Sequence, residues 1–246
     1  MADAIAAYKT AFSSFKKNMM DYAIYSILFS AISAVLGVIV FVAFMAFGFV
    51  TVGTFAGMIS AGNAFSLDAA GMVVTILLML AGLFIFTLLQ CGLIGAYLET
   101  LGGLLSDKKQ TLVGFISAVP RLSGHMLIAF FITGIITAIP TSAGFAIAFL
   151  VGFSSIPGIA AIILGIFLSY LLSLLFIFVP PAVAVERRGA IEAMKSSVSQ
   201  VVKNPVAFVI FLVISTLIAI PSFTVIYVPL FLLPVGQAAL VAFRKS

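Results

Sequence analysis

The sequence predicts an all-α protein, a polytopic membrane helix bundle of about six spans. Of its 246 residues, 64% are hydrophobic and only 8% are charged, and the charges gather in a few clusters between long apolar runs. A soluble globular chain carries about a quarter charged residues, so no water-soluble surface can be built from this composition. Mean hydropathy is +1.36, and residues 1–246 read as one membrane domain.

The apolar runs place spans at Tyr22–Phe49, Gly71–Leu98, His125–Val151, Gly158–Val179, Val206–Ile220 and Phe223–Phe243. Pro140 and Pro221 either kink long helices or mark turns, because proline removes a backbone donor and clashes with the preceding turn. The last two runs can also be read as one broken helix. Together they cover 38 residues, too long for a single crossing of a core about 30 Å thick at 1.5 Å per residue. The segment before the first run alternates apolar and basic residues and lacks the short apolar core of a signal peptide. The first span is therefore expected to remain in the mature protein.

All twelve Lys and Arg residues fall in four places: Lys9, Lys16 and Lys17; Lys108, Lys109 and Arg121; Arg187, Arg188, Lys195 and Lys203; and Arg244 with Lys245. The alternate connections, near 51–70, 141–157 and 222, contain none. With six spans every basic cluster lies on one side, which the positive-inside bias makes cytoplasmic together with both termini. The net charge of +5 thus reads as orientation in a cell membrane and contact with anionic lipid head groups, not as a nucleic-acid partner.

Each hairpin is preceded by a basic amphipathic segment. Ile5, Tyr8, Phe12 and Phe15 form an apolar stripe at spacings of three and four, with Lys9, Ser13, Lys16 and Lys17 opposite. Shifted by 186 positions, Ile191, Met194, Val198 and Val201 repeat the stripe, and Lys195, Ser199 and Lys203 repeat most of the polar face. The middle segment keeps Leu112, Ile116, Val119, Ser117 and Arg121. Ala4-Ile5 and Lys17-Asn18 recur as Ala190-Ile191 and Lys203-Asn204, and Ala138-Ile139-Pro140 as Ala219-Ile220-Pro221. These matches predict three units, 1–98, 107–181 and 186–246, each an interfacial amphipathic helix followed by a transmembrane hairpin.

At the third unit, Pro180-Pro181 are followed by Glu186-Arg187-Arg188-Gly189 and Ala190-Ile191-Glu192-Ala193-Met194-Lys195. This resembles the membrane domain associated with glycerophosphoryl diester phosphodiesterases and related prokaryotic multi-pass proteins, in which a span ends at proline and an Ile-Glu-Ala-Leu-Lys-type helix leads into the next. The match covers about twenty residues. The resemblance implies membrane architecture only, because the family's phosphodiesterase chemistry belongs to a separate soluble domain.

Few residues nominate chemistry. One histidine, seven acidic residues and one cysteine leave no cysteine-rich metal site, no disulfide and no clustered acid–base groups, so neither a cofactor nor catalysis is expected. No Gly-x-x-x-x-Gly-Lys-Ser/Thr loop is present. Cys91 reads as a buried inert thiol, and His125 as an interfacial side chain rather than a ligand. Asp21 and Glu99 flank spans and are expected to pair with Lys16, Lys17, Lys108 or Lys109. Glu186 either caps the third interfacial helix or binds a polar head group with Arg187 and Arg188.

Gln90, Gln237, Ser169, Tyr170 and Ser173 fall in spans, where they either bond between helices or line a substrate path. Gly53 and Gly57, and Gly144, Ala148 and Gly152, have the small-xxx-small spacing that allows close helix contact within the fold or between subunits. The function expected is non-enzymatic: contact with or organisation of lipid, or service as a subunit of a membrane assembly or homo-oligomer. The competing expectation is a transporter, channel or lipid-translocating protein.

Overall fold

The computed structural model describes residues 4–61, 65–222 and 228–245, with side chains described at 4–46, 73–217 and 234–244. The described residues form nine helices and no strand: α1 Ala4–Lys17, α2 Met19–Ala61, α3 Phe65–Leu104, α4 Leu112–Val151, α5 Ile156–Leu175, α6 Val179–Ala184, α7 Ala190–Lys203, α8 Pro205–Ser222 and α9 Val228–Lys245. Among the described residues, four stretches are long and apolar enough to cross a membrane: Met19–Ala46, Val73–Leu104, Leu112–Val151 and Ile156–Ala184. A fifth results if α7 and α8, bent by 99° at Asn204, count as one. The remaining expected spans run across residues 218–233, whose side chains lie outside the described set.

The helix ends follow local chemistry. Thr111 caps α4 by accepting from the Gly114 N–H at 3.1 Å, and Ser155 caps α5 by accepting from the Gly158 N–H at 3.1 Å. At the end of α3 the Lys108 N–H bonds to the Gly103 carbonyl and the Asp107 N–H to the Leu104 carbonyl. Asp107 itself takes φ 54°. This is a Schellman close with aspartate where glycine is usual, tolerated because a short polar side chain fits the left-handed region.

Helices α4 and α5 meet through backbone. A Cβ on Gly144 would lie 2.5 Å from the Ala161 carbonyl oxygen, and one on Gly165 would lie 2.5 Å from that of Pro140. Thr141 and Ser169 bond across the same seam, hydroxyl to hydroxyl at 2.7 Å. The spacing of Gly144 and Ala148 thus serves contact within one chain; Gly152 caps the helix at φ 94°, and Gly53 and Gly57 lie outside the described side chains.

A second packing centre forms around Phe178, which stacks on Phe243 and meets Phe208 and Phe211. Phe178 is wholly buried. Its N–H donates to the Ser197 hydroxyl at 3.2 Å, and that hydroxyl donates to the Leu175 carbonyl at 2.6 Å. One serine thereby satisfies both frayed backbone groups between α5 and α6.

Three expectations need correction. The middle amphipathic segment is not a separate helix: α4 runs unbroken through Pro120 and Pro140, and no asparagine follows the segment as Asn18 and Asn204 follow α1 and α7. Pro180 and Pro181 start α6 rather than stop the preceding span, since proline in a first turn forfeits no helical donor. The stripe in α1 is rotated. Ala4, Ala7 and Ala11 are buried while Ile5 and Phe12 are exposed, because alanines permit the closest approach to Ala238 and Ala239 of α9, which are also buried.

Candidate functional site

The site is built where α3 and α4 are forced together. A Cβ on Gly92 would collide with the Ser123 hydroxyl and the Val119 carbonyl, and one on Gly95 would lie 3.0 Å from both Leu122 and Met126. These two glycines bring α4 against α3, so that one turn farther along Glu99 meets Arg121. Glu99 bonds to the Arg121 guanidinium and to that of Arg187 at 3.2 Å. One carboxylate, about a quarter exposed, thus joins α3, α4 and the α6–α7 turn.

That turn is specified by three charged residues in a row. Arg187 has φ 56°, a left-handed conformation that costs a non-glycine residue about 1–2 kcal/mol. It reverses the chain so that Glu186 and Arg187 point to different partners. The Arg188 N–H closes the turn on the Ala182 carbonyl at 3.2 Å. Glu186 receives Arg188 at 2.5 Å and Arg244 at 2.9 Å. The Arg244 side chain, 6% exposed, also bonds to Gln200 at 2.7 Å and to the hydroxyl of Ser196.

Two cavities flank the Arg121–Arg187 pair. The larger, of about 670 Å³, is lined by Lys108, Arg121, Arg187, Glu99 and Glu186 together with hydroxyl, amide and backbone groups, among them Thr100, Gln110 and Ser117. The smaller, of about 220 Å³, is lined by Arg121, His125, Arg187 and Arg188 with Leu122 and Val183. Three arginines and a histidine are among its lining residues, and no acidic residue is. Such a concentration of donors suits an anion with several acceptor oxygens, a phosphate above all.

The contacts draw all four basic clusters toward one end of the bundle. Lys17 pairs with Asp107 at 2.8 Å, both well exposed, and the Lys17 ammonium holds the Asp107 carboxyl below its ordinary value. Lys108, Arg121 and Arg187 share the larger cavity, and Arg244 is locked to Glu186. Lys9 and Lys16 are exposed beside Ile5 and Phe12 on α1; Lys195 and Lys203 are exposed on α7, and so is Ile191. Lys109 lies exposed in the connection before α4. Tyr8 turns inward, its hydroxyl 2.5 Å from that of Ser215, and burial pushes its phenol above the usual tyrosine range.

The expected partners are partly exchanged. Glu99 pairs with Arg121 and Arg187 rather than with a lysine, and Lys17 takes Asp107. Glu186 does not cap α7, whose start at Gly189 has no side-chain cap; two guanidiniums hold the carboxylate away from the helix end. Arg244, counted in the sequence only as part of the last basic cluster, is the partner of Glu186 that spacing did not reveal. Gln90 bonds to Ser33 at 3.4 Å, Ser169 to Thr141, and Ser173 to the Tyr170 carbonyl. The Tyr170 side chain and Gln237 are exposed. These polar residues sit on separate helix pairs and line neither of the two cavities. Cys91 is buried, and among the described residues no three His, Cys, Asp or Glu side chains gather as a metal site.

Comparison with family models, curated proteins and solved structures finds no match.

Proposed function

We propose that this chain is a non-enzymatic, multi-pass membrane protein that contacts and organises anionic lipid through its basic end. The observation that carries the reading is the larger cavity, where Lys108, Arg121 and Arg187 face one polar cleft. Ile5 and Phe12 on α1 and Ile191 on α7 are exposed on helices that carry other basic residues. A helix end that offers apolar side chains and lysines together suits the head-group layer of a membrane, where the former enter the acyl boundary and the latter meet phosphates.

In this reading the basic end and both termini face the cytoplasm of a cell membrane, six spans cross it, and α1 and α7 belong to repeated units. Equal lengths of 14 residues and the shared break before the next helix support the last point. The resemblance of residues 180–197 to the phosphodiesterase-associated membrane domain adds architecture and no activity. A role as a subunit of a larger membrane assembly or a homo-oligomer is compatible with the same surface.

The test is lipid-dependent stability of the purified protein in detergent. Added anionic lipid should raise the unfolding temperature more than equal amounts of a zwitterionic lipid, because a ligand that binds only the folded state stabilises it by mass action. Replacing Lys9, Lys16, Lys108, Lys195 and Lys203 with Gln should erase most of the difference. Equal stabilisation by both lipids would sink the reading.

A further inference from the structure

We propose that Arg121, His125, Arg187 and Arg188 form a specific site for a phosphate group, in the small cavity beside Leu122 and Val183. The inference deepens the lipid reading and rests on it for the ligand's surroundings, but it makes a narrower claim: phosphate chemistry at four named residues, not anionic charge in general.

Three observations lead to it. First, the small cavity gathers Arg121, His125, Arg187 and Arg188 with no acidic residue in its lining, whereas the adjacent large cavity mixes three cations with Glu99 and Glu186. On the His125 side the carboxylates that pair with these arginines stand outside the cavity lining. Second, the guanidiniums are held from behind. Glu99 takes one nitrogen each of Arg121 and Arg187, and Glu186 and Glu192 take Arg188. Each guanidinium has five N–H donors; Arg121 and Arg187 use one nitrogen each on Glu99, and Arg188 uses Nε on Glu186 and Nη1 on Glu192 and Ser196, which orients all three planes and leaves Nη2 of Arg188 and the remaining nitrogens of the other two for a ligand. Third, Arg187 keeps a left-handed backbone, φ 56°, where glycine would be strain-free. Backbone strain held at a residue whose side chain faces two cavities marks a functional requirement for that side chain.

Size limits the ligand. A volume of about 220 Å³ falls below the range of about 300–1,000 Å³ that holds drug-sized molecules. A phosphate with its first carbons fits, the phosphate on the guanidiniums and the carbons against Leu122 and Val183. Such a group comes either from a phospholipid, its chains leaving along α4, or from a small soluble phosphate ester.

The test compares lipids of like charge and different chemistry. Binding to the purified protein in detergent is measured for phosphatidic acid, for phosphatidylglycerol and for oleate, whose anion is a carboxylate. The phosphate lipids should bind about ten-fold more tightly than oleate, the margin that multidentate charge-assisted hydrogen bonds provide. Arg187→Gly should remove about five- to ten-fold of phosphate affinity with little change in the unfolding temperature, since relief of the left-handed strain offsets loss of the exposed pair with Glu99. His125→Ala should weaken phosphate binding by a smaller factor, about two- to three-fold. Glu99→Gln should strengthen it, because the carboxylate that competes for Arg121 and Arg187 is gone.

Glycerol 3-phosphate added as competitor separates the sources. If millimolar amounts displace phosphatidic acid, the site takes soluble phosphate esters; if they do not, it takes the lipid. Either result upholds the phosphate site. Equal binding of oleate and phosphatidic acid, unchanged by Arg187→Gly and His125→Ala, would overturn the site while leaving general contact with anionic lipid intact. Failure of every anionic lipid to bind better than phosphatidylcholine would overturn both.

Discussion

Arg244, near the end of α9, holds both carboxylate oxygens of Glu186, its Nε 2.9 Å from Oε1 and its Nη2 3.2 Å from Oε2. The pair closes the far end of the chain onto the turn that carries Arg187. Because the Arg244 side chain is 6% exposed, removing its partner leaves a poorly solvated charge. Glu186→Gln should therefore destabilise the fold by about 2–3 kcal/mol, whereas Lys203→Gln, on an exposed side chain, should change it by less than about 0.5 kcal/mol. Unfolding in mixed detergent micelles reads the difference. Equal effects would show that the closure is unimportant.

The seam between α4 and α5 has no spare room. Gly165→Ala and Gly144→Ala each set a methyl 2.5 Å from a backbone carbonyl oxygen, so the helices must separate. A loss of about 1–3 kcal/mol is expected for each, measured by the same unfolding. Gly134→Ala, on the same helix α4 with nothing within 4 Å of its Cβ position, should be neutral or slightly stabilising.

Much of the helical layout was legible because hydropathy and helix breakers are local signals. The ends of α1 and α7 follow from the amphipathic spacing and from the asparagines that succeed them. The fused α4 was not legible, since the amphipathic spacing of residues 112–121 resembles that of α1 and α7 and spacing alone does not show where such a helix joins the next span. The partners of Glu99 were hidden for a different reason. Arg121 lies 22 residues away and Arg187 lies 88, and what unites them is the approach of two helices at Gly92 and Gly95. Sequence spacing records that such glycines exist and not which helix they admit.

The Phe178 cluster should carry more stability than any charged contact. Phe178 is fully buried among Phe208, Phe211 and Phe243, and Phe178→Ala should cost about 3–5 kcal/mol. Phe178→Leu should cost less. A loss under about 1 kcal/mol for the alanine variant would mean that the cluster contributes little beyond space filling.

The Lys17–Asp107 pair gives a pH dependence of defined sign. The Asp107 carboxyl is held below its ordinary value by Lys17, so folding favours the carboxylate form. Its contribution is present above the ordinary carboxylate pKa of about 3.9 and is lost as pH falls through the lower folded value. Asp107→Asn keeps a residue that tolerates the left-handed backbone while removing the charge. Wild type should exceed this variant slightly in stability at pH 7, and the two should converge in acid. A gap that widens on acidification would contradict the pairing.

The continuity of α4 has a mechanical meaning. Arg121 and Thr141 sit on one helix about 30 Å apart at 1.5 Å per residue, with no break in the helix between them. A tilt or twist imposed at the guanidinium must reappear at the seam with α5, where carbonyl-to-glycine spacing tolerates almost no play. A break between the two would absorb such a push locally; the continuous helix carries to the seam what happens at the guanidinium.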